Sequence, residues 1–184
     1  MLEIQRIKEL LYMVPRAPED EIPKGILEHE CNGFAKRTGL VIPPDLRDWL
    51  MISNGPCVGP GGFYGIQPHR HHLDIESYLE AYPIWKNYGW IPIAGDGCGN
   101  HYILTQRDEF RCDNPILFID TSTSFESDCY IVASDISHFI VAVLEQELGK
   151  RGWPFDKQFQ LNFDPQIINC IGAKLPWDFV QPSM

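Results

Sequence analysis

The densest grouping of chemically capable residues is His69-Arg70-His71-His72 with Asp74, three imidazoles and a carboxylate within six residues. Such a donor set suits a transition metal. In an extended segment His69 and His71 share a face, but a closed site needs further ligands, and nothing nearby has the spacing of a zinc motif. The stretch therefore reads as a solvated loop, and no metal is assigned. The glycine-rich stretches Gly59 to Gly65 and Gly95 to Gly99 raise the question of phosphate binding. That chemistry needs backbone amides at a helix N-terminus, usually with a Lys-Ser/Thr pair. Neither stretch has the pair, and both read as turns. Cys98 with His101, or Cys129 with His138, would make a nucleophile with its base. A reactive thiolate needs an electropositive setting, however, and Cys98 lies beside Asp96. Asp108-Glu109 and Asp120 are acid–base candidates that no feature resolves into one pair. No catalytic residue and no cofactor is assigned, and the chain is read as a non-enzyme.

These side chains sit in a protein of 184 residues, 44% apolar, 12% aromatic and 22% charged, with a net charge of −10. The length suits one domain with an appended extension. No apolar run approaches the ~20 residues of a membrane span. The opening Met1-Leu2-Glu3-Ile4-Gln5-Arg6-Ile7-Lys8-Glu9 interleaves charges with apolar positions, unlike a signal peptide, so a cytoplasmic location is expected. Six cysteines (Cys31, Cys57, Cys98, Cys112, Cys129, Cys170) show no CxxC pair and read as reduced, packed thiols. Residues 39–149 carry five basic against fifteen acidic side chains and so hold the whole charge imbalance. An acidic surface of that kind repels nucleic acid and anionic membranes and attracts basic partners.

Apolar spacing predicts helices over 2–13, 25–37 and 45–53, the last started by Pro43-Pro44 and ended by Asn54-Gly55-Pro56. A short strand is expected at 63–66, a helix at 74–82, and strands at 90–93, 101–105, 116–119 and 130–133. Gly95-Asp96-Gly97-Cys98-Gly99-Asn100 joins the first two of those four as a hairpin. Asp135 caps a final helix with the stripe Ile136, Phe139, Ile140, Val143, Leu144 and Leu148, ended by Gly149. Residues 150–184 contain six aromatics with little helical or strand rhythm. Aromatics at that density are expected to wrap back over the core. Helices, then strands, then a helix make the fold class α+β: a twisted, mostly antiparallel sheet packed against helices, with an aromatic-rich C-terminal extension. The domain is placed at 1–149 and the extension at 150–184.

The segment Gly39-Leu40-Val41-Ile42-Pro43-Pro44-Asp45-Leu46-Arg47-Asp48-Trp49-Leu50-Met51-Ile52-Ser53-Asn54-Gly55 resembles the helix and Asn-Gly signature of the SUKH superfamily, in its Smi/Knr-like branch. Trp90-Ile91-Pro92-Ile93-Ala94-Gly95-Asp96-Gly97-Cys98-Gly99-Asn100 is similar to that family's strand–turn–strand. Pro115 to Asp120 and Ala133-Ser134-Asp135 occupy the expected later places, and the ending Leu175-Pro176-Trp177-Asp178-Phe179 resembles tails seen on some relatives. The resemblance covers 25–149. It implies an open concave side for binding and, for bacterial members, an immunity protein that neutralises a cognate toxin, often a nuclease or deaminase, by stoichiometric binding. Other members are regulatory or scaffold proteins of cell-wall signalling. The implied partner is a basic protein toxin, with no nucleic acid and no membrane. The partner-binding positions expected on this chain are Asp96, Asn100, Asp120, Glu126 and Asp128.

Overall fold

The computed structural model describes residues 3–16, 21–106, 110–122 and 129–178. In chain order the elements are α1 (Ile4–Met13), α2 (Glu28–Thr38), α3 (Pro44–Ile52), α4 (Ile75–Ala81), α5 (Ile84–Asn87), β1 (Ile91–Gly95), β2 (His101–Leu104), β3 (Ile116–Ile119), β4 (Cys129–Ala133), α6 (Ile136–Glu147) and α7 (Lys157–Phe163). The strands form one antiparallel sheet in the order β1-β2-β3-β4. The fold is α+β, with the sheet packed against helices.

Local chemistry accounts for the boundaries. Asp74 caps α4 by accepting from the Ser77 N–H, and Asp135 caps α6 by accepting from the His138 N–H. Pro44 occupies the first turn of α3, where its missing N–H costs nothing. Along a strand, neighbouring side chains point to opposite faces. The adjacent pair His101 and Tyr102 shows the result: His101 lies 4.7 Å from Tyr78 of α4, and Tyr102 lies 4.9 Å from Phe139 of α6. Helices therefore cover both faces of the sheet. Trp49, Phe63 and Phe139 run edge-to-face through the core at 5.1 and 6.0 Å, linking α3, the loop after it and α6. Buried Glu145 joins α1 to the end of α6, with its Oε1 2.7 Å from both Arg6 and Lys150.

Both sheet edges carry a bulge, and each bulged carbonyl is taken by a neighbouring segment. In β1 the register passes from Pro92 to Ala94 and leaves out Ile93, whose carbonyl accepts from the Tyr64 N–H at 2.8 Å. In β4 the register leaves out Val132, whose carbonyl accepts from Trp153 Nε1 at 3.1 Å and Gln160 Nε2 at 3.0 Å. The Ile131 N–H beside it donates to the Lys174 carbonyl at 2.9 Å. Residues 150–178 thus lie along the β4 edge.

Several details differ from the sequence reading. Phe63 makes an isolated bridge to Ala94 in place of a strand over 63–66: Gly61 packs on the Gly95 backbone, and the Gly62 carbonyl accepts from the Gly95 N–H at 3.1 Å. A Cβ on Gly61 would meet the Gly95 backbone at 2.4 Å. The tail, read as nearly without rhythm, contains α7, whose N-cap Asp156 accepts from the Phe159 N–H. The cysteines were expected to be reduced, but Cys112 and Cys170 form a disulfide across 58 residues of sequence. Their Cα atoms stand 5.3 Å apart because the Ile171 N–H bonds the Phe110 carbonyl and aligns the two segments. Cys31, Cys57 and Cys98 are free thiols.

Candidate functional site

The β1–β2 turn is built around one carboxylate. Asp96 Oδ1 accepts from the Cys98 N–H at 2.7 Å and the Asn100 N–H at 3.0 Å, and Oδ2 accepts from Asn100 Nδ2 at 2.7 Å. Asn100 passes the order on, because its Oδ1 accepts from the Thr121 N–H at 3.2 Å. Thr121 Oγ1 donates in turn to the Gly99 carbonyl at 2.8 Å. Gly97 holds φ +79°, and a Cβ there would strike the Pro60 carbonyl oxygen at 2.8 Å, so this position requires glycine.

Asp96, Asn100 and Asp120 therefore stand together where the β1–β2 turn meets the end of β3. Asp120 accepts from the Ser122 N–H and hydroxyl at 2.9 and 2.6 Å, and these bonds hold its carboxyl below the usual carboxylate range. Glu126 and Asp128 lie outside the described residues.

Beside this turn runs a cleft of about 370 Å³. Its floor is a cross-strand aromatic row: Tyr102 pairs with Phe118 across β2–β3, and Phe118 with Tyr130 across β3–β4. The ring centroids are 5.4 and 5.1 Å apart, with Phe118 stacked on Tyr130. Burial, the neighbouring Tyr130 and the Asp96 charge all raise the Tyr102 hydroxyl pKa. Burial, with Asp96 and Asp120, pushes Tyr130 up to about 12. Both phenols stay protonated, and both feel the carboxylates of the turn.

The sequence reading did not assign these three aromatics to the site. The signal available to it was that each of the three expected strands carries a single aromatic, Tyr102, Phe118 and Tyr130.

The other chemical candidates are dispersed. His69, His71 and His72 are exposed, whereas Asp74 is buried as a cap and accepts from the Gln67 N–H at 2.7 Å. Among the described residues, no three His, Cys, Asp or Glu side chains stand together as metal ligands. His101 is buried on the α4 side with Nδ1 2.9 Å from the Tyr64 hydroxyl, while Cys98 is exposed in the turn. Burial lowers His101 to about 4, with Asp96 opposing, so it is neutral at physiological pH. His138 bonds Asp135 at 2.9 Å and leans on Asp164 at 3.9 Å. The Asp135 hydrogen bond raises its pKa against the effect of burial. Asp108 and Glu109 lie outside the described residues.

No helix among the described residues is long and apolar enough to cross a membrane. The family model for the SMI1 / KNR4 family (SUKH-1) matches residues 25–142, more than half of the chain, from before α2 to within α6. A comparison with curated proteins found no significant match.

Proposed function

Because the chain belongs to the SMI1/KNR4 family (SUKH-1), we propose that it is a non-enzymatic immunity protein that neutralises a cognate bacterial toxin by stoichiometric binding. The toxin is a nuclease or a deaminase, a basic protein whose substrate is anionic. The protein meets it in the cytoplasm, where such toxins find their substrates.

Family membership carries this reading, and the placement of charge supports it. Fifteen acids against five bases fall in residues 39–149, and Asp96 and Asp120 stand together at one end of the sheet. Opposite charge speeds encounter with a cationic cleft and competes for the groups that hold phosphate. Since both Asp96 oxygens already accept hydrogen bonds from the turn, its contribution is a fixed negative field on a rigid support. Asp120, Glu126 and Asp128 are the carboxylates assigned to direct contact.

The test is affinity capture of the tagged protein from its native lysate, with stepwise salt elution and mass spectrometry, followed by an inhibition assay on the retained protein. One basic protein held one-to-one, with its nuclease or deaminase activity abolished on mixing, is the expected result. A captured partner whose activity the protein leaves untouched would overturn the reading. So would unchanged affinity and salt slope in the charge-reversed variant D120K/E126K/D128K.

A further inference from the structure

The walls of the cleft add chemistry that its aromatic floor alone lacks. Glu147 at the end of α6 lines one side, Asp96 lines another, and Trp153, Pro154 and Phe155 of the extension close a third. Among the described residues, no Lys, Arg or His lines the cleft. Trp153 is fixed by its bond to the Val132 carbonyl and lies 6.0 Å from Tyr102. Phe155 is 6.0 Å from Tyr130 yet remains 50% exposed. Large aromatics that are anchored but left open to solvent are the side chains on which binding energy concentrates in protein interfaces.

We infer that this cleft takes a Lys- or Arg-bearing segment of the partner protein. The aliphatic stem lies over Tyr102, Phe118 and Tyr130, and the cationic head is drawn to Asp96 and Glu147. Aromatic faces attract a cation through their quadrupole, and a basic side chain can bury its stem while its head stays wet. The two carboxylates, with no opposing base among the described lining residues, fix the sign of the charge that fits. The inference rests on the protein-binding reading above and makes it more specific. Glu147 and Trp153–Phe155 all lie outside residues 25–142, so partner choice depends on a part of this chain beyond the family match.

The probe is a fluorescein-labelled short peptide alternating arginine and leucine, titrated into the full chain by anisotropy and mapped by amide NMR shifts. Its counterpart replaces each arginine with glutamate. The arginine peptide is expected to bind, to shift Tyr102, Phe118, Tyr130 and Trp153, and to lose at least tenfold affinity in F155S and in E147K. Both altered side chains are exposed, so the fold is retained, and a circular dichroism spectrum checks it.

Equal binding of the glutamate peptide would overturn the proposal. So would shifts confined to another surface, no binding at millimolar peptide, or unchanged affinity in both variants. Full competition by free arginine amide at equal concentration would also overturn it, since a small cation and not a chain segment would then be the ligand.

The two readings fail separately. F155S and E147K neutralising an identified toxin as well as the unaltered protein would remove the cleft from the interface and leave the immunity role. The arginine peptide seated in the cleft while the captured partner stays active would do the reverse.

Discussion

The buried carboxylate of Asp164 takes both polar hydrogens of Ser134, the N–H at 2.7 Å and the hydroxyl at 2.6 Å. Ser134 stands immediately before the cap of α6, and Asp164 follows the last residue of α7. One fully buried side chain thus fixes the extension to the start of α6, the helix that packs beside the aromatic row. It also sets the 3.9 Å approach of His138, whose ring bonds Asp135 on its other side.

Replacing Asp164 with Ala leaves the Ser134 N–H buried without its acceptor. A loss of roughly 2–5 kcal/mol in unfolding free energy is expected from denaturant titration. S134A removes only the hydroxyl bond to the carboxylate and should cost about 1.5–3 kcal/mol. Equal stability of D164A and the unaltered protein would contradict this account.

Acid should destabilise the protein through His101. Its folded pKa is depressed to about 4 against an ordinary 6.5, so below pH 6.5 the unfolded chain takes up a proton that the folded one refuses. Stability from this group is complete above 6.5 and falls by roughly 3 kcal/mol on the way to pH 4. The double variant Y64F/H101F, which removes both ends of the buried hydrogen bond, should flatten that limb of the stability–pH curve measured by urea unfolding.

His138 acts with the opposite sign. Its folded pKa is raised, first by the Asp135 hydrogen bond, so its contribution is complete below about 6.5 and is lost as pH rises through the folded value. H138Q should therefore be less stable than the unaltered protein at pH 6, with the difference narrowing by pH 8.5. A gap that widens with pH would refute the assignment.

Reduction should loosen the chain without releasing the extension. The Cys112–Cys170 bond closes a loop of 58 residues in sequence separation, for which chain entropy gives a stabilisation of about 4 kcal/mol. Thiol counting on the denatured, unreduced protein should find four reactive cysteines, and six after reduction. The melting temperature should fall with reductant, while Trp153 fluorescence keeps its folded emission maximum until melting, because Asp164, Gln160 and Trp153 hold the segment independently.

Deleting residues 150–184 should cause self-association. The deletion strips the Lys174 carbonyl from the Ile131 N–H and both donors from Val132, and an uncovered strand edge is a template for pairing with another chain. Light scattering after size exclusion should show oligomers for the truncated protein. A stable truncated monomer would show that the extension is dispensable for the edge.

Much of the fold was legible because its signals are local. Asp135 and Gly149 bracket α6 in the sequence as they do in the structure, and the glycine turn around Asp96 announced the β1–β2 hairpin. The pairing of Cys112 with Cys170 was not legible, since the two meet only when the extension turns back past Phe110, a contact that no short-range pattern encodes. The short α5 was missed for a related reason. Ile84-Trp85-Lys86-Asn87 is a single turn whose place is set by the buried Trp85 and not by a repeating apolar stripe. At the site, Asp96 and Asn100 could be named because a turn advertises its acid. Tyr102, Phe118 and Tyr130 form a row only through strand register, which a single chain read in order does not display.

The two bulged edge strands constrain how this protein can be recognised. Tyr64 and the Gly62 carbonyl occupy the outer side of β1, and Lys174, Trp153 and Gln160 occupy that of β4. At these positions the sheet has little free main chain to lend, so a partner has no ready place to dock by strand addition. On the protein-binding function proposed above, recognition is left to side chains on a rigid frame. Partner choice can then drift through point substitutions at the surface while the backbone scaffold beneath stays unchanged.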